Sequence, residues 1–597
     1  MKGLRSPLPL ALAVLACLGI NGSVDGHGLA RRAADPNSFI RHRYPSVVAF
    51  GNYVYIDGGQ MFRPNNENGT NSTQLDPYTP YAVNSTLSLD LTESWTSETV
   101  GIRSIPKTAP LFGQQVLWSD HSYNPGGFSV WGGMTMDNEP PPEDQFWYFH
   151  TDGSGGGSWE QAPLGDYRQF TQLLRPAGAS FAQSATTGYA FGGLATRETD
   201  HTIQKAYPGY AAKGVISYDF NSGRWANHSS DSFGQYGTSL YGCAEYVPFG
   251  PNGLLIFLGG AETPVDATAE YISGVGWTTL TLYDPVTRKW YTQKTTGWGP
   301  PQIERACSVG VRGPENTYEI FIYGGSSANY GDTSSDVYVL SLPGFVFFKS
   351  NAPGTPRADH GCAVVGKGKR QMLSYGGVDA GQWLRFSNMT KDPWKQGLGV
   401  YDMTEMAWTN SYDVDAANYE SPAVVKDWYS QGGMKTMTWD NDELKELFVN
   451  GSSRYDMMNN SSITKEPPKS TLSSAQRTGA IVGGVVGGIV VLTAVGAAIF
   501  LMRRRRRRRQ SSQASSTINE YRPEPWPKDS PRMRSTTPGT IMTFGSSPTP
   551  VEPVEISGTT RGELPAEDVE WTYELPVPTP HATPRLRPEL PDRKFPH

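Results

Sequence analysis

The chain has 597 residues, too many for one ordinary domain, and a net charge of −6, which excludes a global basic field for nucleic acid. Its 66 glycines, 30 tyrosines and 16 tryptophans suit a turn-rich all-β body, and only four cysteines exclude a disulfide-dense scaffold. The segment from Arg503 onward carries 16 basic and 12 acidic residues, so the acidity belongs to what precedes it.

Residues 1–26 read as a secretory signal. Lys2 and Arg5 precede an apolar run from Leu8 to Ile20, too short to span a bilayer comfortably, and Val24 and Gly26 place small residues at a cleavage site. A propeptide at 27–32 would then end at the dibasic pair Arg31-Arg32.

A repeated word follows. An apolar-aromatic run closed by two glycines occurs as "YVYIDGG", "FSVWGG", "YAFGG", "LLIFLGG", "IFIYGG" and "QMLSYGG", with first glycines at 58, 132, 192, 259, 324 and 376. Two glycines are poor strand formers, so their return at 52 to 74 residue intervals marks a repeated unit. A second apolar run precedes each pair, as in "YPSVVAF" or "RACSVGV". A strand ending in acid and then a tryptophan follow it, as in "ISYDFNSGRW" to Trp225 and "LTLYDPVTRKW" to Trp290. Each unit therefore reads as four short strands. The glycines end the second strand, the acid turns the chain between the third and fourth, and the tryptophan opens the outer strand to pack on the next unit.

This order of features resembles the kelch repeat of β-propellers, over roughly residues 40–412. The resemblance implies an all-β, six-bladed propeller ectodomain over residues 33–412, with seven blades as the alternative. Two units depart from the pattern. Around Gly324 no tryptophan follows, so Phe347 or Phe348 stands in for it; around Gly132 the turn lengthens to "HTDGSGGGSW". Residues 413–450 form an extension that packs on the propeller. Within it "WDNDELKELF" predicts a short helix capped by Asp440, with Leu444, Leu447 and Phe448 on one face. Residues 421–433 predict a truncated seventh blade or a closing strand. Residues 451–477 read as a polar stalk.

Residues 478–502 contain no charge, and twenty-five helical residues reach about 37 Å, enough to cross a bilayer core of about 30 Å. The run Arg503, Arg504, Arg505, Arg506, Arg507, Arg508 and Arg509 follows at once and reads as a positive-inside stop signal rather than a nucleic-acid patch. Together with the signal this predicts a single-pass type I protein of the plasma membrane or another secretory-pathway membrane, its propeller extracellular or lumenal. Gly483, Gly484, Gly487 and Gly488 set two overlapping G-x-x-x-G patterns in the span, the spacing of a weak helix dimer. The Pro/Ser/Thr-rich tail, 503–597, reads as disordered and cytoplasmic, with Arg585, Pro588 and Pro591 spaced for an SH3-type adaptor.

Sequons at Asn68, Asn71, Asn84, Asn227, Asn388, Asn450, Asn459 and Asn460 all precede the span, as glycosylation requires. After signal removal Cys243, Cys307 and Cys362 remain, each in the first strand of consecutive units. They are expected to be small buried core residues, since equivalent positions on neighbouring blades should lie beyond disulfide reach; one inter-blade bridge is the alternative.

No metal, cofactor or catalytic motif emerges. Galactose-oxidase-like propellers hold copper with two histidines and two tyrosines, one cross-linked to cysteine. Here His42, His121, His150, His201, His228 and His360 show no ligand spacing. A copper oxidase is therefore the alternative to a non-enzymatic binder or scaffold, and the arrangement resembles the single-pass surface kelch proteins of filamentous fungi. The ligand expected is an extracellular protein or polysaccharide. The loops after each glycine pair, at 60–83, 134–145, 194–213, 261–277, 326–335 and 378–396, should share one face. Tyr207, Tyr210, Tyr271, Trp277 and Tyr330 are the aromatics expected to present there, away from the glycans.

Overall fold

The computed structural model describes residues 39–449 apart from 65–77, 123–125, 138, 207, 268–271, 328–331 and 380–389. Every repeat folds as an antiparallel meander in sequence order. The first comprises Ser46–Phe50, Tyr53–Asp57, Ser85–Asp90 and Ile102–Pro106. The fourth comprises Cys243–Val247, Leu254–Leu258, Thr279–Tyr283 and Trp290–Lys294. The first strands of successive repeats face one another around the axis, and those of the sixth and first close the circle. The result is an all-β propeller.

The expectation of six like blades, or seven, is corrected by the pairing. Among the described residues, five sheets stand as separate blades of four or five strands. The sixth repeat, Ala358–Val365, Gln371–Val378, Leu398–Asp402 and Ala407–Thr409, is built into a seven-stranded sheet. Its added members are Arg41–Arg43, Gln60–Pro64 and Tyr78–Ala82, joined where His42 lies opposite Gly377. The segment before Tyr44 thus closes the ring. Residues 421–433 are not a seventh blade: Ala423–Ser430 is a helix and Gly433–Lys435 a 3-10 turn. The helix Asp442–Val449 forms as expected and buries Leu444 and Phe448, with Phe448 stacked on Phe249. Its cap, however, is Asn441, whose Oδ1 accepts from the Leu444 N–H at 3.0 Å. Asp440 instead accepts from the Lys294 N–H at 2.8 Å.

Second strands are enclosed on both faces, so Leu254–Leu258 is buried throughout. Tilted and edge-on aromatic contacts fill the gaps between sheets. Trp225 packs on Trp131 and Phe146, Trp290 on Phe191 and Trp408 on Tyr323. Each tryptophan therefore packs on the preceding repeat, not the next. Trp159, from the lengthened turn, does the same and donates to Thr86 at 2.8 Å. Phe347 takes the missing tryptophan's buried place. Trp95 departs from the pattern: Trp95–Thr96 pairs with Ser411–Tyr412 and ties the first repeat to the end of the sixth.

The glycine pairs explain themselves at the seams. The second glycine's N–H donates to a carbonyl of the next repeat: Gly59 to Phe112, Gly133 to Pro176, Gly193 to Ser239, Gly260 to Ile303 and Gly325 to Arg357, at 2.6–2.9 Å. A Cβ on the first glycine would lie only 2.0–2.8 Å from that same carbonyl, or from that of His42 in the case of Gly376. Both glycines also have positive φ. The position therefore excludes a side chain twice over.

Gly192→Ala should accordingly cost on the order of 3 kcal/mol, because its Cβ would meet the Ser239 carbonyl at 2.0 Å. Gly51→Ala has a similar φ of +61 but nothing within 4 Å, and should cost about 1 kcal/mol. Urea midpoints of the two variants, expressed as residues 33–475, decide it; equal losses would remove the seam contact as the cause.

Candidate functional site

The end of the channel next to the glycine pairs is ringed by one residue from each repeat: Tyr44, Gln114, Gly178, Tyr241, Arg305 and Asp359. All six have left-handed backbone, φ +54 to +64. Five of these residues are not glycine, an uncommon concentration of that conformation. Backbone bonds link the ring. Tyr44 N–H donates to Asp359, Gln114 to Tyr44, Gly178 to Gln114, Tyr241 to Gly178 and Arg305 to Tyr241, at 2.8–3.4 Å. The conformation turns five of the six N–H groups toward the neighbour on the preceding repeat, which offsets the strain.

Side chains bridge across the ring. Arg305 Nη1 lies 3.0 Å from Asp359 Oδ1, which also accepts from Gln114 Nε2 at 3.3 Å. The Arg305 guanidinium stacks 3.5 Å above the Tyr241 ring, and its Nε bonds Glu304 at 3.2 Å. Behind the ring lies a cavity of about 390 Å³ walled by the first strands. Glu245 reaches into it and accepts from the Ser308 hydroxyl at 2.8 Å. Enclosure pushes the Glu245 carboxyl up to about 7, opposed by that hydrogen bond. Burial likewise pushes the Cys243 thiol up to about 12, and its Sγ donates to the Ala306 carbonyl at 3.2 Å.

Cys307 and Cys362 form a disulfide with a Cα separation of 5.8 Å. This corrects the expectation of three unpaired core cysteines. First strands converge at the axis, so equivalent positions on neighbouring repeats come within disulfide reach there. Cys243, on the fourth repeat, stays free. His360 stands beside the bridge, edge-on to Tyr323 at 5.1 Å, with both ring nitrogens buried and no well-formed hydrogen bond to either. Burial and then the Arg357 charge hold its pKa well below the usual imidazole range, only partly offset by the Tyr323 carbonyl.

Two of the loops beside this mouth are pinned at their bases. Asp200, in the third loop, is buried against Arg175 at 3.0 Å. Asp392, in the sixth, is buried against Arg357 at 3.1 Å. The loops also bond one another: Thr135 N–H donates to Glu198 at 3.0 Å and Ala211 N–H to Val265 at 2.9 Å. Tyr210 is 37% exposed on this rim, under the Lys205 ammonium at 4.9 Å, which pairs with Asp266. Trp277 is not a surface aromatic. It is 4% exposed, edge-on to Phe347, because the turn after the fourth glycine pair folds it under Gly259. Tyr207, Tyr271 and Tyr330 lie outside the described residues.

Asn84 and Asn227 are exposed, and the Asn227 amide donates to the Lys213 carbonyl at 3.3 Å. The remaining sequons, the 478–502 span, the arginine run, the span glycines and the SH3-type motif lie outside the described residues. Among the described residues no helix is long and apolar enough to cross a membrane.

The histidines do not fit a copper oxidase. His42 is buried between Tyr375 Oη at 3.1 Å and the Gly58 carbonyl at 2.7 Å, His121 stacks on Phe50 and His150 pairs with Glu160. The group of three potential ligand side chains among the described residues holds a single histidine. The ring itself was missed from the sequence. No one residue type runs through its members, and only their fixed position, two residues after the carbonyl that faces the glycine pair, would have found them.

No protein-family model matches the chain. A curated relative from Arthroderma benhamiae, named "Kelch repeat-containing protein", is 22% identical over 426 residues, covering 64% of this chain and 59% of the relative. The chain thus spans about three fifths of the length of the curated relative it matches. A solved structure described as "Structure of YjhT" aligns over 63% of this chain and 98% of its own, with 13% identity and a TM-score of 0.39. The glycine-pair propeller and the curated relative together support a kelch-repeat propeller.

The Glu245 carboxyl, being raised, makes the folded state hold a proton more tightly than the unfolded state. That stabilisation is complete below the ordinary carboxylate range and is lost as pH rises through about 7. With partial exposure to solvent screening some of it, roughly 1–3 kcal/mol should disappear between pH 5 and pH 8. Glu245→Gln should match the parent at pH 5 and exceed it at pH 8 in urea midpoint. Identical pH responses would show that Glu245 titrates normally.

Proposed function

We propose that this chain is a non-enzymatic recognition or scaffold propeller, displayed outside the cell on a single type I span, whose ligand is an extracellular protein or polysaccharide. The observation that carries this reading is the rim: loops of three successive repeats hydrogen-bonded to each other, two loops in the circle anchored to the disc by buried ion pairs. Such a surface is ordered before it meets a partner, so little entropy is lost on binding. The kelch-repeat relative is in keeping with an interaction role. Glycans at Asn68, Asn71, Asn84 and Asn388 would shield the sector of the first and sixth loops, leaving the rim of the second to fifth. A copper oxidase is not favoured, since the cluster of potential ligand side chains among the described residues holds a single histidine.

Glycosylated protein of residues 33–475 should retain either a wall polysaccharide or a surface protein from the producing cell. Tyr210→Ala with Lys205→Ala should weaken retention about ten-fold or more, the loss of a stacked aromatic and its cation, while removal of the Asn68 and Asn71 sequons should spare it. The reverse pattern would place recognition under the glycans. On intact cells a tag after His597 should resist protease; its digestion would overturn the type I arrangement.

A further inference from the structure

Apart from the recognition rim, and independent of it, the channel wall gathers Cys307, His360 and Cys362 with one ligand atom of each within 4.8 Å of the others. His360 and Cys362 are two apart on the first strand of the sixth repeat and so share a face of it. Cys307 comes from the facing first strand of the fifth. His360 is only 7% exposed; both its ring nitrogens are buried without a well-formed hydrogen bond, and the Tyr323 carbonyl is the acceptor close enough to favour its charged form. An imidazole left so is costly unless something accepts its lone pair or its proton. The three side chains border the 390 Å³ cavity, through which an ion and water can reach them.

We propose that, once the Cys307–Cys362 disulfide is reduced, Cys307, Cys362 and His360 form a site for one thiophilic metal ion, with zinc as its representative. Two thiolates and an imidazole select such an ion over magnesium or calcium. With metal–sulfur bonds of about 2.3 Å, tetrahedral sulfurs stand roughly 3.8 Å apart. Rotation about the two Cα–Cβ bonds can supply that spread across the 5.8 Å Cα separation. Because all three side chains line the cavity, water there can complete the shell. The chemistry balances. Two low-molecular-weight thiols donate two electrons and two protons to the S–S bond, giving Cys307 and Cys362 thiols and one small disulfide. Zinc then replaces the two thiol protons, which leave to solvent, while His360 contributes a nitrogen lone pair. Disulfide and metal are mutually exclusive at the same sulfurs, so the site is open only in the reduced protein.

The test uses the full chain in detergent. One sample is left oxidised. The other is reduced with a phosphine, which becomes the phosphine oxide by taking oxygen from water, and is then freed of reductant without air. Zinc per chain is measured by mass spectrometry, and cobalt is used as a probe of thiolate-to-metal charge-transfer absorption. The reduced sample should bind one zinc more than the oxidised one and show the cobalt–thiolate band. His360→Gln should weaken binding about ten-fold or more while still forming the disulfide on oxidation, which reports an intact fold. Cys362→Ser should abolish both signals, and Cys243→Ser should change neither. Equal zinc in oxidised and reduced protein would overturn the site, as would unaltered binding by His360→Gln. Loss of binding in Cys243→Ser would assign the thiolates elsewhere and equally reject it.

Discussion

A single backbone contact organises this propeller: the N–H of a second glycine meeting a carbonyl of the next repeat. Sheets packed face to face through side chains normally stand about 10 Å apart. At the axis that separation is impossible, because the first strands of all repeats converge. The chain resolves the conflict by removing the side chains where backbone must approach backbone, and by turning the freed N–H groups into bonds across the seam. Five seams carry such a bond, and at the sixth His42 lies opposite Gly377. Closure is therefore made by the same pair of glycines as every other seam. The merging of the sixth repeat with Arg41–Arg43 into one large sheet is what that closure looks like when the partner carbonyl belongs to a strand.

Everything functional is positioned by this contact. The seam carbonyl lies two residues before the left-handed residue of the ring, so the six ring residues are carried to one end at one depth. The loops leave from the glycine pairs and rise at that same end. Arg175 and Arg357 sit beside the seam segments of the third and sixth repeats, and each reaches a buried aspartate in its own repeat's loop. A buried ion pair is weak evidence of net stability, but breaking one is expensive. Its effect here is to make each loop's base as fixed as the seam it borders. The rim inherits the rigidity of the axis.

The repeated glycines, acids and tryptophans made the fold class readable, because their spacing follows from strand length and strand order, which each repeat preserves. The blade count was less readable: the sequence shows repeats, while sheets are defined by pairing, and the Arg41–Arg43 strand is too short to announce itself. Residues 421–433 misled for a different reason. Their closing Gly-Gly resembles the seam word, yet Ala423–Ser430 has the apolar spacing of a helix and no preceding apolar strand. Trp277 was misjudged because aromatic loop residues look alike whether they face solvent or fold beneath a glycine. The disulfide was discounted on the average distance between neighbouring sheets, which does not apply where the sheets meet at the axis. The ring was invisible because a backbone conformation repeated there, not a residue.

The disulfide also bears on how the circle is held. It joins the fifth repeat to the sixth across 55 residues, a loop whose closure removes about 4 kcal/mol of conformational freedom from the unfolded chain in the entropy model. The sixth repeat is also the one that must find the first, so the bridge fixes the last unit beside the seam with the greatest sequence separation. Non-local closure is the slow and entropically demanding step of such a ring. Reduction alone would return that freedom to the unfolded chain and leave the sixth repeat held by its seam contacts. A metal ion held by the same two sulfurs and His360 would join the same two strands, so exchange of disulfide for metal would keep the circle stapled while changing what stands in the channel wall.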